Sequence, residues 1–164
     1  MSGPVRRVRA GDWALVRDVR LAALADAPDS FASTYADEAR LSDEEWKLRA
    51  QACAEGGPAA AFTALHDGVA CGLAIGIPLA NEPATVELNG LWVAPSARRK
   101  GIAGALVEAV CGWARERRAE RLVLEVTESS TAAIALYRAL GFSDVASAAC
   151  GDRRAAARRM EKRL

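Results

Sequence analysis

The chain commits itself most strongly at Val93-Ala94-Pro95-Ser96-Ala97-Arg98-Arg99-Lys100-Gly101-Ile102-Ala103-Gly104, where an apolar strand passes into an amphipathic helix through a short basic loop. Gly101 and Gly104 let the backbone approach a ligand closely. The free N–H groups of the helix's first turn, and its dipole, favour an anion there, and Arg98, Arg99 and Lys100 supply counter-charge. A strand–loop–helix built this way fits a pyrophosphate, and it requires a following strand on which the helix can pack.

That strand is present. Arg121 to Thr127 alternates, with Leu122, Leu124 and Val126 on one face, after a helix striped by Ile102, Leu106, Ala109/Val110 and Trp113. The strand before the loop, Thr85 to Val93, is therefore expected to pair with it in parallel. Upstream the pattern differs. Strands at about 59–65 and 69–77 meet at the hairpin signal His66-Asp67-Gly68. Before them come a short strand, Val5 to Arg9, and two helices. The first has Asp12 at its N-cap and ends before Pro28; the second opens on the capping box Ser42-Asp43-Glu44-Glu45 and stops at Gly56-Gly57-Pro58. Asp29 to Tyr35 reads as a loop or short turn. Thr131 to Leu140 is a last helix closed by Gly141. Phe142 to about Cys150 and Ala157 to Leu164 read as final strands, with the turn at Gly151-Asp152-Arg153-Arg154. Hairpins followed by a crossover predict an α/β (α+β) fold: a mixed sheet of six to seven strands with helices on both faces, in one domain over 1–164.

Bulk properties narrow the function classes. An apolar content of 51% and a charged content of 26% fit a globular protein. The longest uncharged apolar run, Val69 to Ala80, is too short to cross a bilayer, and no signal-peptide core follows the early arginines, so a cytoplasmic protein without membrane partners is expected. Four cysteines without a Cys-x-x-Cys pair and a lone His66 give no metal site and no histidine triad. Residues 1–82 carry 8 Lys/Arg against 12 Asp/Glu, and residues 83–164 carry 14 against 9, so the basic half holds the proposed phosphate loop. The arginines and lysines between Arg153 and Arg163 lack interleaved aromatics, which argues against a nucleic-acid partner.

Two segments carry a resemblance. Arg98-x-x-Gly101-x-Ala103 resembles the Arg/Gln-x-x-Gly-x-Gly/Ala signature of the GNAT superfamily, the Gcn5-related N-acetyltransferases. Ser130 to Phe142 resembles that superfamily's Asn-x-x-Ala-x-x-Leu-Tyr-x-x-x-Gly-Phe signature, matching at Ala133, Leu136, Tyr137, Gly141 and Phe142 and departing at Ser130. The resemblance implies a GNAT-like fold whose parallel strand pair splays, with Asn89-Gly90 as the place for a bulge. It implies acetyl-CoA as cosubstrate, no metal, and transfer of the acetyl group to a primary amine of a small molecule or peptide by direct attack. The cofactor would lie along Leu91, Trp92 and Val93, against Arg98 to Gly104 (Arg99, Lys100, Gly101, Ile102 and Ala103 included), and beside Ser130, Ala133 and Tyr137. Tyr137 is the implied general acid and Glu87 the candidate base, with Glu125 and Glu128 in reserve; Phe31, Tyr35 and Glu87 are the candidate acceptor contacts. A homodimer is also implied. The rival readings are a CoA-binding sensor or scaffold without catalysis, and a basic nucleic-acid-binding domain.

Overall fold

The computed structural model describes residues 5–145 and 157–164. Its sheet has seven strands in the order β1-β2-β3-β4-β5-β7-β6: β1 Val5–Arg7, β2 Ala60–His66, β3 Val69–Pro78, β4 Thr85–Val93, β5 Arg121–Thr127, β6 Ser143–Asp144 and β7 Ala157–Arg163. All neighbours run antiparallel except β4 and β5, the expected parallel pair. Helices α1 (Trp13–Asp26), α2 (Tyr35–Ala39) and α3 (Asp43–Cys53) precede the hairpins; α4 (Ile102–Glu116) links β4 to β5, and α5 (Thr131–Ala139) follows β5.

Each sheet face carries its own core. On one, α4 lays Ile102, Leu106, Val107 and Val110 on Val86, Leu88, Val93, Leu122 and Leu124. Gly72 and Gly76 of β3 permit the close approach: a Cβ on Gly72 would stand 2.9 Å from Leu106, and one on Gly76 2.9 Å from Val110. On the other face, α1 and α3 bury Val16, Val19, Trp46 and Ala50 against Ala61, Leu73 and Trp92.

The segment read as a loop or turn forms α2 at its end, because the Thr34 hydroxyl accepts the Asp37 N–H and caps a short helix. Asp12 stands at the N-cap of α1 without capping it; its carboxylate accepts the Arg9 N–H at 2.7 Å and pairs with Arg6. The first strand stops at Arg7. The strand expected from Phe142 is only Ser143–Asp144 as far as the described residues go, and the turn at 151–154 lies outside them. Of the C-terminal basic cluster, Arg158 pairs with Asp144 and Arg159 with Glu82, so both are engaged within the fold. No helix among the described residues is long and apolar enough to cross a membrane.

Candidate active site

The parallel ladder is short. Thr85, Val86 and Glu87 pair with Arg121, Leu122 and Val123, and there pairing ends, although β4 continues to Val93 and β5 to Thr127. β4 bulges just beyond. Leu73 faces Trp92 and Ile75 faces Asn89, so Gly90 and Leu91 together oppose Ala74. Gly90 takes a φ of +62°, which a side chain resists. The extra residue switches the strand's facing. Before it, Val86 and Leu88 point to α4; after it, Leu91 and Val93 do, and Trp92 joins the α1–α3 core.

The splay opens a cleft of about 1070 Å³ that passes through the sheet. Ligand pockets run from roughly 300 to 1,000 Å³, so this one suits a long ligand. Backbone groups of β4 and β5 that face the gap lack a strand partner, which a ligand's amides can supply. At one mouth sit Arg98, Arg99, Gly101, Ile102, Ala103 and Gly104, with Ser130, Ala133 and Tyr137 of the α5 region beside them. Gly101 caps α4 with a φ of +78°, and no atom lies within 4 Å of where its Cβ would be. Such an open position at a helix N-terminus is where a phosphate can approach. At the other mouth are Arg20, Phe31, Ser33 and Glu87, on the α1–α3 face.

Most of the residues singled out in the sequence meet here, but Lys100 and Tyr35 do not line the cleft. Leu91 and Val93 pack into the α4 core. Tyr137 leans edge-on against Phe142, with ring centroids 5.8 Å apart. Burial pushes its phenol up to about 12, so it is a protonated donor at neutral pH. Glu87 accepts a hydrogen bond from the Asn89 side chain at 3.1 Å. Glu125 lines the cleft and Glu128 does not. Arg98 is tied down: its Nε donates to the Val93 carbonyl at 3.0 Å and its Nη2 to Asp26. The Trp92 indole also donates to Asp26, at 2.9 Å. That bond first, and Arg98 with it, holds the Asp26 carboxyl below the usual carboxylate range against its partial desolvation.

Four contributors escaped the sequence reading. Asp26 joins the end of α1 to the end of β4. Arg20 and Glu38 form an almost fully buried pair in which Nε and Nη2 donate at 3.1 and 3.0 Å, and Arg49 donates to the same carboxylate at 3.1 Å. Burial opposes ionisation of Glu38, but the bonds and charges of the two arginines together outweigh it and hold the carboxyl below its ordinary range. The one available signal was a charge, Arg20, inside the apolar stripe of α1; its partner is distant in sequence. Among the described residues no three His, Cys, Asp or Glu side chains gather as metal ligands would.

Comparison with known proteins bears directly on this cleft. The profile of the acetyltransferase (GNAT) family matches residues 21–142. An aminoglycoside N(6')-acetyltransferase type 1 of Salmonella typhimurium is 29% identical over 116 residues, covering 67% of this chain and 76% of that one. The PaiA N-acetyltransferase of Thermoplasma acidophilum, solved in complex with coenzyme A, superposes with a TM-score of 0.77 at 17% identity over 100% of both chains. A phosphinothricin acetyltransferase of Sinorhizobium meliloti, solved with acetyl-CoA, gives 0.76 at 23% identity over 100% of this chain and 89% of that one.

Proposed function

The chain belongs to the GNAT acetyltransferase family and is an acetyl-CoA-dependent N-acetyltransferase; from that premise we propose how its own residues divide the reaction. The observation that carries the assignment is the ladder that stops at Glu87 and Val123 beside the open N-terminus of α4. The cofactor fits this arrangement: unpaired strand edges for its amides, an open glycine-capped helix for its pyrophosphate. Acetyl-CoA supplies the acetyl group as an activated thioester. The backbone at Leu91 to Val93, turned by the bulge, orients that carbonyl. The α4 face is the donor side and the α1–α3 face the acceptor side, and the two meet in the gap.

Transfer forms a C–N bond and breaks a C–S bond. The amine must lose a proton and the departing sulfur must gain one. Glu87, on the acceptor side, takes one proton from the ammonium and frees its lone pair; the second, lost from nitrogen once the C–N bond has formed, replaces the proton that Tyr137 gives up. Tyr137, on the donor side, donates to the sulfur. A phenol at about 12 is a poor acid against an ordinary thiol near 8.5. Here, however, the burial that disfavours the phenolate also disfavours a bare thiolate, which narrows the gap. With no histidine in the cleft to activate a cysteine, direct attack in a ternary complex is the simpler route. Free Cys53, Cys71 and Cys111 suit the reducing cytoplasm.

Glu87→Gln tests the base. The amide keeps the size and an acceptor oxygen for Asn89 but cannot take a proton. We expect kcat/KM to fall at least tenfold near neutral pH and to recover as the pH approaches the free amine's own pKa, about 8 for an α-amine or 10.4 for a lysine-type amine. A ratio of wild type to variant that stays flat with pH would transfer the role to Glu125 or to solvent.

Arg98 serves the cofactor by fixing the end of β4 rather than by neutralising phosphate, because Asp26 and the Val93 carbonyl already engage its guanidinium. Arg98→Ala should weaken acetyl-CoA severalfold while leaving the salt dependence of binding unchanged. A shallower salt slope in the variant would place Arg98 on the phosphates after all.

A further inference from the structure

We propose that the acceptor arm of the cleft contains an anion-reading subsite built on Arg20, which selects acceptors that carry a carboxylate as well as the reacting amine. The proposal rests on the acetyl-transfer reading above and names the acceptor's chemical class.

The guanidinium has two occupied sides and one vacant corner. Nε and Nη2 donate to Glu38, and the Phe31 ring covers one face, its centroid 4.8 Å from the guanidinium carbon. Nη1 is buried and has no hydrogen-bond partner, the one such side-chain atom among the described residues. It lies against the bulge of β4, 3.5 Å from where a Cβ on Gly90 would sit. A buried donor without an acceptor is costly, more so on a charged group, and an incoming oxygen removes that cost. Arg20 and Arg49 against Glu38 leave one positive charge uncompensated in the cluster, so an anionic oxygen is preferred to a neutral one.

The rest of the arm agrees. The charged side chains lining the cleft are Arg20, Arg98, Arg99, Glu87 and Glu125. Glu87 shares a sheet face with the bulge-side corner of Arg20, as does Glu125 of β5, whose neighbours Leu124 and Val126 face α4. An aminoglycoside or polyamine brings several ammonium groups and calls for several carboxylates. Two carboxylates set against three lining arginines, one with a vacant guanidinium corner, instead match a zwitterionic, amino-acid-type acceptor, ammonium to Glu87 and carboxylate to Arg20. Phe31 lines the same arm and stands just beyond the short turn Pro28–Ser30 rather than in a helix or strand.

The test is a thiol-release assay with acetyl-CoA on matched acceptors: amino acids, their carboxamides and their decarboxylated amines, alongside spermidine and an aminoglycoside. Wild type should favour the acids over both analogues by about tenfold or more in kcat/KM, expressed mainly in KM. Arg20→Met should bring each acid down to the level of its amide, and Arg20→Lys should restore part of the preference. The double variant Arg20→Met/Glu38→Gln leaves no lone buried charge; it should show the same loss of preference while acetyl-CoA still raises its Tm. Wild type that uses decarboxylated amines or polycations as well as the acids overturns the subsite and leaves the transferase reading standing. An equal loss on all acceptors in a variant that keeps its acetyl-CoA response makes Arg20 purely structural and overturns the subsite too. Thiol release from no acceptor at all would overturn both readings.

Discussion

Tyr137→Phe is expected to lower turnover by about 10²-fold or more, the usual size of a lost general acid, with acetyl-CoA affinity nearly unchanged. The substitution removes one hydroxyl and keeps the ring against Phe142. The sign of the pKa shift adds a second signature. A phenol of ordinary acidity would begin to lose its proton near pH 10 and bend the wild-type profile there. Burial raises this phenol to about 12, so its protonated form, the active one, persists through pH 10. The ratio of wild-type to variant turnover should thus hold constant from pH 6 to about 10. Single-turnover rates across that range provide the check; a ratio within about twofold of unity would remove Tyr137 from the mechanism.

Gly101→Val should abolish the rise in Tm that acetyl-CoA gives the wild type. That rise comes from binding to the folded state and reaches about 2.7 kcal/mol when the ligand stands at 100 times its Kd. Gly101 caps α4 at a φ of +78°, with open space where its Cβ would be. A β-branched residue is strained in that conformation and projects into the space a phosphate needs. Gly101→Ala separates the two effects, since it carries most of the backbone strain with little bulk. Valine that loses the response where alanine retains part of it indicates obstruction. A full response from the valine variant would move the pyrophosphate away from this helix.

Much of this was legible because it is local. β4 and β5 begin and end where alternation and Pro95 placed them, and Ser42 caps α3 through the bond its box sequence calls for. The Ser130–Phe142 stretch forms the helix that its pattern suggested, ending just before Gly141. What stayed hidden depends on partners distant in the chain. Nothing near Asp26 announces Trp92 or Arg98, and nothing near Glu38 announces Arg20. Lys100 and Tyr35 carry suitable chemistry, yet their positions put them off the cleft wall. The bulge was legible as a site, Asn89-Gly90, but not as a switch of facing. That switch exists only relative to β3, through the pairs Leu73–Trp92 and Ile75–Asn89.

The bulge also sets a rule for how the chain can change in length. A strand's side chains alternate with a period of two, so one residue added or removed reverses everything downstream. Here one surplus residue already delivers Trp92 to Asp26 on one face and Val93 to α4 on the other. Losing Gly90 would turn the indole toward α4 and Val93 toward α1, placing both cores and the base of the phosphate loop out of phase at once. A single-codon deletion would be better tolerated in the connection 79–84, where it would cost local ties such as Glu82 to Arg159 but reverse no strand's facing. Length variation in descendants of this chain should therefore accumulate in that connection, and the stretch from Glu87 to Gly101 should keep its count even where its side chains drift.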